Sequence, residues 1–135
     1  MGIFLIIYYS SSTEGQLTML DVGQGDSILF QTDSKQNIMI DTGGKRSENH
    51  KQPNFNISKY KTIPSLKSKG ISKIDYLIIS HPHLDHMGEL PYLASHINIK
   101  NIILFKDSFS RSELYNIEKI SNTNHINVLD ANRLH

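Results

Sequence analysis

The tightest constraint on the fold is a junction. The run Ile74-Asp75-Tyr76-Leu77-Ile78-Ile79-Ser80 passes directly into His81-Pro82-His83-Leu84-Asp85-His86. A short apolar run rich in branched residues reads as a buried strand. A loop leaving a buried strand is a rigid platform for ligands. In extended backbone, residues two apart point to the same side, so His81 and His83 can grip one ion together. Asp85 and His86, past the bend, are placed for a second ion beside it. Imidazole nitrogen and carboxylate oxygen suit zinc or another first-row divalent metal. Pro82 stiffens the turn, and Gly88 permits close approach where the next helix begins. The competing reading is a chance cluster in a surface loop, but three of the seven histidines fall within six positions. His50, His96, His125 and His135 stand alone and read as surface or internally satisfied side chains.

The flanking sequence supplies the frame. Leu17 to Val22 alternates loosely, as a strand does, and enters a tight turn at Gly23-Gln24-Gly25-Asp26. Ser27 to Thr32 and Ile38 to Ile40, joined by a polar turn, predict an antiparallel hairpin ending in Asp41-Thr42-Gly43-Gly44. Lys45 to Ser58 is polar and aperiodic, a long loop. A short helix follows, with Thr62 as its cap, Pro64 in its first turn and Gly70 at its end. Leu90, Leu93, Ala94 and Ile97 recur at helical spacing. Asn101 to Phe105 reads as a strand. Ser110-Arg111-Ser112-Glu113 forms a capping box ahead of Leu114, Ile117 and Ile120. Ile126 to Leu129 predicts a last strand. Strands in series, then strands alternating with helices, predict an α/β fold: a mixed sheet with helices packed on one side.

Composition narrows the chemistry. The 135 residues suit one domain, with a net charge of +1 and no cysteine. Disulfide frameworks and thiolate metal sites are thereby excluded, and net charge alone implies neither nucleic-acid nor membrane partners. Lysines between Lys45 and Lys73 read either as a solvated face or as a phosphate-tracking surface. The apolar stretch Ile3 to Tyr9 is far short of the ~20 residues that span a bilayer. It fits a buried strand, a weak signal-peptide core, or the stub of a membrane segment. Residues 1–16 therefore read as a leader or stub, and 17–135 as the domain.

His81-x-His83-x-Asp85-His86 after an apolar strand resembles the hallmark of the metallo-β-lactamase superfamily. Leu20-Asp21-Val22-Gly23-Gln24-Gly25-Asp26-Ser27, Ile40-Asp41-Thr42-Gly43-Gly44 and Gly70-Ile71-Ser72-Lys73-Ile74-Asp75 narrow the likeness to the hydrolase domain of ComEC-type competence proteins. It runs from about Leu17 to about Leu93, with the motifs in the same order. The resemblance implies His81 and His83 as ligands of one metal, and Asp85 and His86 of the second, with Asp85 also handling a proton. Two divalent ions are implied, zinc first and manganese as the alternative. Asp41 would hydrogen-bond the histidine loop and hold its shape. Asp26 would sit near the rim, with Gly23 and Gly25 shaping the turn. For Asp21, Asp26 and Asp41, plain turn chemistry is the competing reading.

The family's remaining ligands come from a T-G-D-like and an H-H-G-S-like motif, and neither occurs in this sequence. The expected fold is therefore the N-terminal half of an αββα sandwich, truncated at its C-terminal end. In a complete domain, two metals ~3.5–4 Å apart activate water for attack on a carbonyl or phosphoryl centre. The resemblance implies a metal-dependent hydrolase of phosphodiester bonds in DNA uptake. Its partners would be DNA, a membrane channel domain and, through the open half-sandwich face, another copy. Its place would be the cell envelope, with the cytoplasm left open. A small-molecule hydrolase of esters or lactams, and a remnant that keeps the loop without chemistry, are the alternatives.

Overall fold

Branched and aromatic residues alternating along short segments favour strands, because each side chain finds neighbours on a pleated surface. A computed structural model describes residues 15–22, 26–44 and 57–134, save the side chains of Leu84 and Asp85. The expectations for residues 1–14, for Gly23 and Gly25, and for the lysines between 45 and 51 lie outside the described residues. So do those for His50 and His135.

Six strands lie side by side in chain order: β1 (Gln16–Met19), β2 (Ile28–Gln31), β3 (Asn37–Ile40), β4 (Lys73–Ile79), β5 (Asn98–Leu104) and β6 (Asn127–Asp130). β1, β2 and β3 are antiparallel, and β3 through β6 run parallel. The predicted hairpin is the β2–β3 pair, its turn closed by the Lys35 N–H donating to the Thr32 carbonyl at 2.9 Å. The first strand is shorter than its sequence pattern, ending at Met19 instead of Val22.

Parallel neighbours need crossovers, and these are α1 (Ile63–Ser68), α3 (Leu90–His96) and α4 (Arg111–Asn124); α2 (Leu84–Met87) precedes α3. Each crossover steps to the next strand in the same direction. Crossovers of one hand therefore deliver all three helices to one face of the sheet. That face holds the register row Thr18, Leu29, Met39, Leu77 and Ile102. Leu29, Leu77 and Ile102 are fully buried there, in one core with Leu66, Leu90, Leu93 and Ile117 from the helices. Burying each such side chain stabilises the fold by about 1.5–3 kcal/mol.

The opposite face differs. Its central row is Met19, Ile28, Ile40, Ile78, Ile103 and Leu129, apolar across all six strands. Met19 is exposed and the other five are only half-buried. This is the mixed sheet with helices on one side that the sequence predicted.

Helix termini follow local chemistry with one correction. Ser110 and Glu113 form the capping box at the start of α4, the Ser110 Oγ accepting from Glu113 N–H and the Glu113 carboxylate from Ser110 N–H. Thr62, expected as a cap, is itself helical (φ −68°, ψ −53°) and makes no capping bond. A π-helical turn, Ser58–Thr62, precedes α1 and starts the helix earlier. Its leading N–H groups, on Ile57 and Ser58, donate to the buried Glu89 carboxylate at 3.3 and 3.2 Å. A cap supplied from 31 residues away removes the need for one at Thr62.

Candidate metal centre

The centre lies where β3 and β4 end side by side. In open α/β sheets, ligands gather outside the carboxyl ends of the strands. The Asp41 N–H donates to the Ile78 carbonyl at 2.8 Å, which places the residue after β3 beside the last turn of β4. Asp41 has φ 58° and Gly43 has φ 69°. Asp tolerates this left-handed region better than most residues. At Gly43 a Cβ would also lie 2.7 Å from the Val22 side chain, so both conformation and space demand glycine.

The Asp41 side chain is buried and serves as the hub. Its Oδ1 accepts from the Ser80 N–H at 2.7 Å. Its Oδ2 accepts the Ser80 hydroxyl and lies 3.0 Å from His86 Nδ1. The Ser27 hydroxyl donates to the Asp41 carbonyl at 2.9 Å. Next in the chain, the Thr42 N–H donates to the His86 carbonyl at 2.7 Å. One pair of adjacent residues thus holds His86 by its ring and by its backbone. Asp41 thus hydrogen-bonds the start of the histidine loop at Ser80 and its far side at His86.

Three imidazoles meet above this hub. The His81 and His86 ring centroids are 4.9 Å apart, and those of His81 and His83 are 6.1 Å apart. His86 is mostly buried, while His81 and His83 are exposed. With Nδ1 bonded to the Asp41 carboxylate, the His86 tautomer is the one that puts the lone pair on Nε2. This carboxylate-backed imidazole is the common arrangement of histidine metal ligands. Among the described residues, which exclude the Asp85 side chain, no three His, Asp or Glu side chains converge closely enough to hold one ion. By donor chemistry, neutral imidazoles fit a divalent metal.

The other expected residues fall as follows. Asp26 is exposed beside Ser27, and Gly88 is in the turn between α2 and α3. Asp21 pairs with Lys61 at 3.5 Å, and Lys73 with Asp75 at 3.4 Å, so part of the basic stretch is spent on local ion pairs. His96 stacks on Tyr92 with centroids 3.8 Å apart, and His125 ends α4 in a left-handed conformation (φ 57°), away from the centre. Ser27, Thr42, Ser80 and Glu89 were not singled out in the sequence. Ser80 alone had a local signal, as the last residue before the histidines.

An α/β half-sandwich with a carboxylate-backed histidine loop at its parallel strand ends defines one class of protein. The chain belongs to the metallo-beta-lactamase superfamily, whose family model matches residues 20–108. Among curated proteins it is similar to ComE operon protein 3 of Bacillus subtilis (strain 168), 37% identical over 108 residues, covering 76% of this chain and 14% of that protein. It is also similar to Competence protein ComA of Neisseria gonorrhoeae, 31% identical over 75 residues, covering 56% of this chain and 9% of that protein. The chain thus spans a small part of each relative's length. Among the described residues, no helix is long and apolar enough to cross a membrane.

Proposed function

We propose that this chain is the metal-loop half of a divalent-metal hydrolase domain that cleaves phosphodiester bonds of DNA in a competence protein. The observation that carries the reading is the Asp41–His86 bond at 3.0 Å beneath the cluster of His81, His83 and His86. A buried carboxylate that fixes an imidazole's tautomer has an evident use when Nε2 must face a cation. His81 and His83 would hold one ion, and His86 with Asp85 the other. Bound there, zinc or manganese would supply Lewis acidity and activate water for attack. The chain's own part is to orient the imidazoles and to keep their backbone rigid through Asp41 and Thr42. The DNA substrate and the cell-envelope setting rest on the resemblance to ComEC-type competence proteins, not on the lysines, two of which form local ion pairs.

Zinc titration of the chain, and nuclease assays on the domain completed by its second half, test this reading. His81→Ala with His83→Ala is expected to abolish zinc binding at one site and all metal-dependent cleavage, with the circular dichroism spectrum retained. Cleavage that survives excess chelator or the double substitution would overturn it.

A second proposal concerns the open sheet face. The row Met19, Ile28, Ile40, Ile78, Ile103 and Leu129 is the surface on which a sandwich lays its second sheet. Where no second sheet covers it, an apolar face of this extent favours pairing with another copy.

A further inference from the structure

We propose that Ser80 is a positioning residue that fixes the His81 imidazole as its Nδ1–H tautomer, so that one carboxylate governs two histidines. Asp41 would act on His86 directly and on His81 through the serine hydroxyl. The proposal deepens the metal-centre reading and rests on it for its purpose, though not for its chemistry.

The argument is a count of protons. The Ser80 Oγ lies within hydrogen-bond distance of both Asp41 Oδ2 and His81 Nδ1, the latter at 2.9 Å. An ionised carboxylate has only lone pairs to offer, and a hydroxyl has one proton. The Ser80 proton therefore goes to Asp41, and the bond to His81 must be donated by the ring. His81 Nδ1 keeps its hydrogen, and the lone pair moves to Nε2. Free histidine in water prefers the opposite tautomer, so the serine reverses the default. It can do so because its own backbone is pinned: the Ser80 N–H donates to Asp41 Oδ1 at 2.7 Å. His81 is exposed, and no core packing would otherwise choose its ring state. Both histidines then carry their lone pair on the same ring nitrogen, with the ring centroids 4.9 Å apart.

Long-range proton–nitrogen NMR on the metal-free chain, at a pH where the rings are neutral, reads the tautomers directly. The parent should show His81 and His86 protonated at Nδ1. Ser80→Ala should move His81 to Nε2–H while His86 stays unchanged, and so should His96, whose Nδ1 faces the Tyr92 carbonyl at 2.9 Å. Ser80→Thr, which keeps the hydroxyl, should restore the parent pattern. In a zinc titration, Ser80→Ala should weaken affinity about tenfold, the lower end for loss of a group that orients a ligand, and Ser80→Thr should recover it. An Nε2–H His81 in the parent overturns the proposal before any variant is made. So does a Ser80→Ala protein whose His81 keeps its tautomer, or a Ser80→Thr protein that fails as Ser80→Ala does. If the tautomers behave as described but the parent takes up no zinc, the positioning role stands and the metal-centre reading fails.

Discussion

Asp41 Oδ2 and His86 Nδ1 meet at 3.0 Å although 45 residues separate them in the chain. Their meeting depends on β3 and β4 being parallel neighbours, so the site is a product of the sheet's topology. Asp41→Asn tests it cleanly, because Asn also tolerates the left-handed backbone at this position. The amide cannot accept from Ser80 N–H, Ser80 Oγ and His86 Nδ1 together. Expected outcomes are a loss of zinc affinity of about 10–100-fold and destabilisation of about 1–3 kcal/mol, read by calorimetry and urea unfolding. Unchanged affinity would remove Asp41 from the account of the site.

Gly43→Ala should destabilise the fold by more than about 1 kcal/mol, since both its φ of 69° and the Val22 side chain oppose a Cβ. In a Val22→Gly background, which removes the Val22 Cβ and Cγ atoms that a new Cβ would meet, the steric part should vanish and the conformational part remain. A double-mutant cycle in urea measures the difference. Equal penalties in both backgrounds would show that Val22 gives way.

Asp75 sets a pH dependence away from the centre. Burial raises its pKa, but the Asn37 N–H at 2.8 Å and the adjacent Lys73 more than offset this, and the net shift is downward. A folded pKa below the unfolded one means stability present above the ordinary carboxylate range, about 4, and lost as pH falls through the folded value. Asp75→Asn should therefore cost about 1–2 kcal/mol at pH 7. The gap between variant and parent should close at pH values below about 4. A gap independent of pH, in denaturant melts across this range, would contradict the assignment.

Neighbouring residues of β5 separate the two faces. Ile102 is fully buried and Ile103 is half-buried on the open side. Ile102→Lys should unfold the chain. Ile103→Lys should leave it folded and shift sedimentation from dimer or larger species to monomer. A parent that sediments as a monomer at every concentration would sink the self-association proposal.

The chain alone should bind zinc weakly and hydrolyse little. A catalytic zinc normally has three protein ligands and a water, whereas His81, His83, Asp85 and His86 would be shared two to an ion. Zinc should be removable by mild chelators in a competition titration. Two tightly held ions with measurable hydrolysis would refute this.

What could be read from the sequence was local. The capping box of α4 needs only Ser110 and Glu113, four positions of chain, and it formed as read. The β2–β3 hairpin and the strand before His81 likewise announce themselves in alternation and turn residues. The start of α1 did not, because its cap is the Glu89 carboxylate, distant in sequence and close only after folding. Thr62 looked like a cap because no nearer signal competed with it. Ser27 and Ser80 were passed over for a related reason: a serine at a strand end has many ordinary uses. Its role is fixed only by an Asp41 brought from another strand.

Glu89 has a consequence for how such chains can vary. Its carboxylate holds the Ile57 and Ser58 N–H groups, and its own N–H donates to the Thr42 hydroxyl at 3.3 Å. The chain leaving β3 and the chain entering α1 are thus fastened to the same point beside the histidines. With both ends moored, the length of what runs between Gly44 and Ile57 is nearly decoupled from the site. A change of chain length between these two anchors is expected to leave Glu89, and the histidines beside it, where they are.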